Sequence, residues 1–326
     1  MRWMWLFLLW VPSFLLGEFP YSIVFVHIGK TLPRHVEIAL DQARLFNPEC
    51  PIILVANENA LTDFSSFSNI TLVTCESLPL TKEHEEFLKR TKLNDQYLNG
   101  FWRYGTERFL YLYDYMAAFG AENVFHIEND VLLYVDVGEF APIFYENYPT
   151  IATTFETDFR CIPGFFFVAN GKALQKLAQY FVQKCTKGLT DMHVIAQFWK
   201  EHKENIDCLP MIMESYLYEN TPKSFENSLL KKKLRHAKHI EKFGSIFDGA
   251  AIGVYFDGLD PAKADYPPGY IMKDLFDPSF FIYEWIPDEK GRRVPYASYG
   301  TKKFKINNLH IASKRLELFT SKEWPF

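Results

Sequence analysis

The sequence has no surplus of positive charge. Its 35 lysines and arginines face 40 aspartates and glutamates, for a formal net charge of -5. That excludes a general nucleic-acid binder, which needs a basic face to neutralise phosphates. Cysteine is scarce. Cys50, Cys75, Cys161, Cys185 and Cys208 are too widely spaced to match a metal-ligand pattern. Their odd number leaves at least one thiol outside any disulfide within the chain, and buried free thiols fit as well as any single bridge. There is no internal repeat, low-complexity stretch or clear linker, so a single domain over 18–326 is the simplest organisation. A hydrophobic content of 48% is ample for a core of that size.

Long hydrophobic runs are also missing, apart from one near the start. Arg2 supplies positive charge, Trp3 to Leu16 is apolar, and small Gly17 precedes polar Glu18. That order reads as a secretory signal over 1–17. The run is shorter than the ~20 residues that span a bilayer comfortably, and Pro12 and Ser13 interrupt it. A strand-like run begins at Tyr21, leaving no stem, so a cleaved signal is expected; a short uncleaved anchor is the alternative. Either implies export to a secretory lumen, the periplasm or the outside. Asn69-Ile-Thr71 would be a glycosylation acceptor in a host that glycosylates.

What is present is a regular alternation of strand and helix signals. Ser22–Val26, Pro51–Val55 and Ile70–Val73 are apolar runs of strand length. Arg34–Phe46, Thr81–Arg90 and Arg103–Phe119 carry apolar residues at helical spacing, and Gly120 is a plausible stop. Val124–Ile127 is the next strand. This βαβαβ order predicts an α/β fold with a mainly parallel central sheet flanked by helices and a Rossmann-like nucleotide-binding half. Further on, Gly164–Val168 reads as a strand, and Lys172–Lys184 and Asp191–Lys200 as helices. The stretch from Gly258 to Pro278 reads as loop, and Phe280–Tyr283 and Asn308–Ile311 as short strands. The basic run Lys231–Lys238 is either a solvated helix face or a contact for phosphate or an anionic membrane surface. Aromatic content is 17%, and most of those rings belong to the core.

The strand Val124–Ile127 stops at two carboxylates, Glu128 and Asp130. In open α/β sheets ligands bind beyond the carboxyl ends of the strands. Two hard oxygen ligands there suit Mg2+ or Mn2+, cations that also hold phosphates; acidic pairs also occur in solvated turns. The segment Glu128-Asn129-Asp130 resembles the DxD motif of GT-A-type glycosyltransferases, enzymes that move a sugar from a nucleotide-sugar donor to an acceptor. Asn308-Leu-His-Ile-Ala-Ser-Lys314 resembles the C-terminal His-to-Lys segment of several GT-A families. Phe247-Asp-Gly-Ala-Ala-Ile-Gly253 is similar to a segment that follows the donor site in some of them.

By this resemblance Glu128, Asp130 and His310 hold the metal, and Lys314 contacts the diphosphate. His27, Gly29, Asn57, Arg108 and Asn129 lie against the donor, Arg108 being preferred over Arg103 on the same helix. Asp191 and Asp248 are the candidate carboxylates for the acceptor hydroxyl, as its base if the reaction inverts configuration and as positioning groups, with the departing phosphate as base, if it retains. Each of these aspartates is also a favoured helix cap. Gly164 fits a close approach to the sugar or a turn. The sequence departs from the usual pattern at two points: glutamate replaces the first aspartate, and no Pro-Trp follows Lys314. The extra methylene makes metal contact by Glu128 less direct than by Asp130. The implied partners are a nucleotide-sugar and a glycan, lipid or protein acceptor. The His-to-Lys segment leans towards retention of configuration. Two other readings stay open: a non-catalytic carbohydrate-binding protein of the same fold, and a nucleotidyltransferase. Against the latter, no glycine-rich phosphate loop follows the first strand.

Overall fold

A computed structural model describes residues 20–62, 64, 69–94, 96–221, 229–272 and 275–322. The signal segment expected over 1–17 lies outside these residues. In chain order the first half runs β1 (Ser22–His27), α1 (Arg34–Phe46), β2 (Ile52–Ala56), α2 (Glu58–Leu61), β3 (Ile70–Thr74), α3 (Lys82–Arg90), α4 (Phe101–Phe119), β4 (Val124–Ile127) and β5 (Val131–Leu133). Next come α5 (Val137–Asn147), β6 (Ile151–Thr157), β7 (Arg160–Val168), α6 (Gly171–Lys184), α7 (Asp191–Glu201), β8 (Asp207–Cys208) and α8 (Glu214–Asn220). The remainder is α9 (Lys231–Lys233), α10 (Ile240–Phe243), β9 (Ser245–Ile246), α11 (Ala251–Asp257), β10 (Ile282–Pro287), β11 (Arg293–Tyr299), β12 (Lys302–Ile306) and β13 (Asn308–His310).

The central sheet has the order β3-β2-β1-β4-β7-β6-β8. Four of its six pairings are parallel, those of β3-β2, β2-β1, β1-β4 and β6-β8. The fold is therefore α/β with a mainly parallel sheet, as the alternation predicts. β1, β2 and β4 are buried along almost their whole length, which explains continuous apolar runs rather than alternating ones. Because they run parallel, His27, Asn57 and Glu128 emerge at the same edge.

The helices follow their local signals. Thr81 caps α3 through a bond from the His84 N–H, and Gly120 ends α4 in a left-handed conformation at φ 62. Three segments differ from the expected pattern. The helix α5 contains Pro142, but only six residues in, where Phe140 and Phe144 still pack into the core. The strand β6 was not anticipated; it pairs with β7 through register shifts at Thr153/Phe155 and Phe155/Thr157 that blur its alternation. A second sheet, β10-β11-β12-β9, was read only at its edge. Its β12 strand, Lys-Lys-Phe-Lys-Ile, is half exposed and carries too few apolar residues to announce itself.

The second sheet positions two segments of the functional edge. Parallel pairing of Ile306 with Ile246 sets the chain after β9 beside the chain after β12. Thus Phe247-Asp248 and Asn308–His310 leave the sheet side by side. β13 then pairs antiparallel with β5, placing His310 opposite Val131. All five cysteines are free and buried. Among the described residues no helix is long and apolar enough to cross a membrane.

A candidate metal and donor site

Three side chains meet beyond the end of β4. Glu128, Asp130 and His310 each present one ligand atom, and these lie within 4.8 Å of one another. The chain reverses here: the Val131 N–H donates to the Glu128 carbonyl at 3.1 Å, so both carboxylates face the same side. The Ile311 N–H donates to the Asp130 carbonyl at 2.9 Å and fixes the C-terminal segment against the turn. His310 Nε2 then stands 3.1 Å from Asp130 Oδ2 and 3.5 Å from Glu128 Oε2. Its Nδ1 is buried without a hydrogen-bond partner.

Cations surround this group. Lys314 Nζ contacts Asp130 Oδ2, on a residue held at φ 70. Arg108 reaches in from α4 and contacts Glu128, and it donates to Asp191 Oδ2 at 2.8 Å. Burial by itself would lower the Arg108 pKa, but Glu128, Asp191 and Asp130 outweigh it and raise it. For Asp130, burial opposes ionisation, yet His310 and Lys314 prevail and hold its carboxyl well below the usual range. For His310, burial opposes the charged form and Asp130 overcomes it, raising its pKa. Two carboxylates and an imidazole form a donor set suited to a divalent cation that also takes phosphate oxygens.

The two aspartates sit differently. Asp191 opens α7, and its N–H donates to Thr106 Oγ1 at 3.1 Å. It faces Gly105, where a side-chain carbon would come within 3.8 Å of its carboxylate. Burial raises its pKa against the pull of Arg108. Asp248 is 1% exposed, and its carboxylate is fully engaged by backbone. Oδ1 accepts from the Ile252 N–H at 3.0 Å. Oδ2 accepts from the Gly253 N–H at 3.0 Å and the His310 N–H at 3.1 Å. Asn308 completes the link, donating from Nδ2 to the Asp248 carbonyl at 3.0 Å. Asp248 therefore ties α11 to the backbone of His310 rather than facing a cavity. The packing is close: a carbon added at Gly253 would lie 2.0 Å from the His310 carbonyl oxygen, so only glycine fits. Gly164 lies close on the other flank, where an added carbon would be 3.0 Å from His310 Nδ1.

The remaining sequence-derived residues line the same edge. His27 Nε2 is 2.8 Å from the Thr31 carbonyl, and burial lowers its pKa. Asn129 Nδ2 donates to the Val26 carbonyl at 3.0 Å. The Gly29 N–H donates to Asn57 Oδ1 at 2.9 Å, and Asn57 Nδ2 donates to Glu76 Oε1 at 2.9 Å. These four residues thus brace one another across the ends of β1, β2 and β4. Arg103 pairs with Glu107 at 3.3 Å. In the basic run 231–238, Arg235 pairs with Asp158 and Lys238 with Asp207.

Two residues near the site carry no sequence signal. His35 is pushed down to about 4 by burial and then by Lys314. Lys263, in the loop after α11, is pushed down to about 8 by burial and then by Lys314. A histidine in a helix and a lysine in a loop are unremarkable in one dimension; only the fold turns them towards Asp130.

No protein-family model and no curated protein matches this chain. Several solved structures are similar to it in fold. Mouse xyloside xylosyltransferase 1 in its apo form aligns with a TM-score of 0.43 and 12% identity, covering 67% of this chain and 92% of that one. The galactosyltransferase LgtC, in complex with donor and acceptor sugar analogues, gives 0.38 and 12%, covering 65% and 82%. A cytidylyltransferase from Leptospira borgpetersenii gives 0.36 and 10%, covering 59% and 76%.

Proposed function

We propose that this chain is a metal-dependent glycosyltransferase that moves a sugar from a nucleotide-sugar to an acceptor hydroxyl. The observation that carries this reading is the convergence of Glu128, Asp130 and His310 within 4.8 Å at the carboxyl edge of the sheet, with Arg108 and Lys314 against the same carboxylates. Glu128, Asp130 and His310 would hold Mn2+ or Mg2+. The ion would neutralise charge that grows on the departing nucleoside diphosphate. Lys314, which contacts Asp130, would supply a point charge for a phosphate oxygen. Arg108 offers its planar fork to the same end of the donor, and fixed charge of this kind is usually the largest catalytic contribution.

His27, Gly29, Asn57 and Asn129 form the edge on which the nucleotide would lie. Asp191 is the carboxylate assigned to the acceptor hydroxyl, as a positioning group if the reaction retains configuration and as the general base if it inverts; burial raises its pKa, the direction a general base needs. Asp248 is assigned a positioning role, since its oxygens already hold three backbone N–H groups. The signal-like N-terminus supports export of the protein, and the acceptor is a glycan, lipid or protein met in that compartment.

The test is nucleotide release from a panel of nucleotide-sugars with acceptor mixtures, with Mn2+ and with chelator, for wild type and Asp130→Asn. The reading expects metal-dependent release from one donor class, absent in the variant. Release that is indifferent to chelator and to Asp130→Asn would overturn it.

A further inference from the structure

Among residues 261–270, a stretch that is otherwise exposed, Lys263 and Ala264 alone are partly buried. The loop that carries them is cinched at its base. The Leu259 N–H donates to the Tyr266 carbonyl at 2.8 Å, and the Gly269 N–H to the Tyr255 carbonyl at 2.7 Å. Gly258 sits at φ 70, and a side-chain carbon there would be 2.0 Å from the Tyr266 carbonyl oxygen. A tight turn follows, with the Ala262 N–H on Asp260 Oδ1 at 2.9 Å and the Lys263 N–H on the Asp260 carbonyl at 2.8 Å. The turn aims Lys263 inward. Its ammonium lies 3.8 Å from the centre of the Phe101 ring, and among the described residues it has no carboxylate within ion-pair distance.

The ring it rests on belongs to the site. Phe101, Gly105 and Arg108 are spaced i, i+4 and i+7 on α4 and so share one face. That face meets Asp191 at Gly105 and at Arg108. Lys263 therefore rests on the Phe101 end of that face, and Phe101 lies about 10 Å along the helix axis from Arg108 at ~1.5 Å per residue. Its charge is felt there: Lys314 repels it, and Asp130, then Asp260 of its own loop, then Glu128 attract it. An inward lysine without an ion pair, facing a group that already holds Arg108 and Lys314, is positive charge in excess of the local carboxylates once a divalent cation is added. An anion bound across the metal would balance it.

We propose that Lys263 is a third cation of the donor site, a loop-borne contact for a phosphate oxygen of the nucleotide-sugar. The inference rests on the donor reading given above. A lysine that merely props up the loop would contribute to stability and not to anion binding, and the two roles separate experimentally.

The test is binding of a panel of UDP, GDP, CDP and ADP in the presence of Mn2+, for wild type, Lys263→Met and Lys263→Arg, with Mn2+ binding alone measured beside it. Lys263→Met keeps an unbranched stem over Phe101 and removes the charge. One charge-assisted bond to phosphate lost should weaken the bound diphosphate by roughly tenfold. Lys263→Arg should recover most of that. Mn2+ alone should bind Lys263→Met as well as wild type or better, because a like charge has gone. A wild type that binds a diphosphate and a Lys263→Met variant that binds it equally well would overturn the role of Lys263 and leave the donor reading intact. A wild type that binds none of the four with Mn2+ would overturn both.

Discussion

Asp248→Asn separates a carboxylate that does chemistry from one that holds structure. In the folded protein both oxygens of Asp248 accept backbone N–H groups, those of Ile252, Gly253 and His310, at 3.0–3.1 Å. The site is 1% exposed, so water does not substitute. An asparagine retains one acceptor. Placed where Oδ2 was, it keeps Gly253 and His310 and turns its NH2 towards the Ile252 N–H. Leaving one buried donor unsatisfied costs about 1–3 kcal/mol, and two facing donors place the loss at the upper end. A loss of ~3 kcal/mol lowers Tm by roughly 4 °C in a chain of this size, at about 2.1 cal/mol/K of unfolding entropy per residue. The assay is thermal unfolding alongside Mn2+ affinity. We expect Tm and metal affinity to fall together, because the third bond holds the backbone of the metal ligand His310, with activity falling no further than metal occupancy. An unchanged Tm and an unchanged metal affinity, with turnover abolished, would refute this reasoning and make Asp248 the base.

Other substitutions probe the same packing. Gly253→Ala places a carbon 2.0 Å from the His310 carbonyl, so either α11 or β13 must shift. We expect a loss of at least ~1–3 kcal/mol, read as a lower urea midpoint, with weakened Mn2+ binding. Asp191→Asn should lower kcat while leaving Mn2+ affinity near wild type, since Asp191 contacts the metal group only through Arg108; steady-state kinetics beside a metal titration decide it. His126 lies fully buried in β4, with Nδ1 2.9 Å from the Val24 carbonyl, and burial, then Arg108, push it down to about 3. Its folded pKa is below the unfolded value, so the unfolded chain binds the proton first. Stability is present above about pH 6.5 and is lost as pH falls towards 3, by ~2 kcal/mol at pH 5. Urea midpoints at pH 7.5 and 5 should show that loss in wild type and a smaller one in His126→Leu; equal losses would contradict the assignment.

The βαβαβ half was legible because each of its segments carries its own signal. Val124–Ile127 is an uninterrupted apolar run, and Thr81 and Gly120 mark helix ends in the expected way. The acidic turn stood out because charge follows such a run directly. What could not be read was pairing between distant segments. Nothing local says that Ile246 lies beside Ile306, yet that pairing puts Asp248 under the His310 backbone. As a result Asp248 looked like a free carboxylate or a simple cap, when it is the tie between two strands and a helix. Lys263 and His35 were invisible for the same reason. The hairpin β11–β12 was missed because a half-exposed sheet of mixed polarity lacks strict alternation.

The most direct measurement is a Mn2+ titration, by calorimetry or electron paramagnetic resonance, of wild type, Asp130→Asn and His310→Ala, each with and without a nucleoside diphosphate. The account predicts one saturable site in wild type, tightened by the diphosphate that also engages Lys314, and lost or strongly weakened in both variants. Equal binding by all three proteins, or no saturable site in wild type under either condition, would contradict the claim that Glu128, Asp130 and His310 hold a metal.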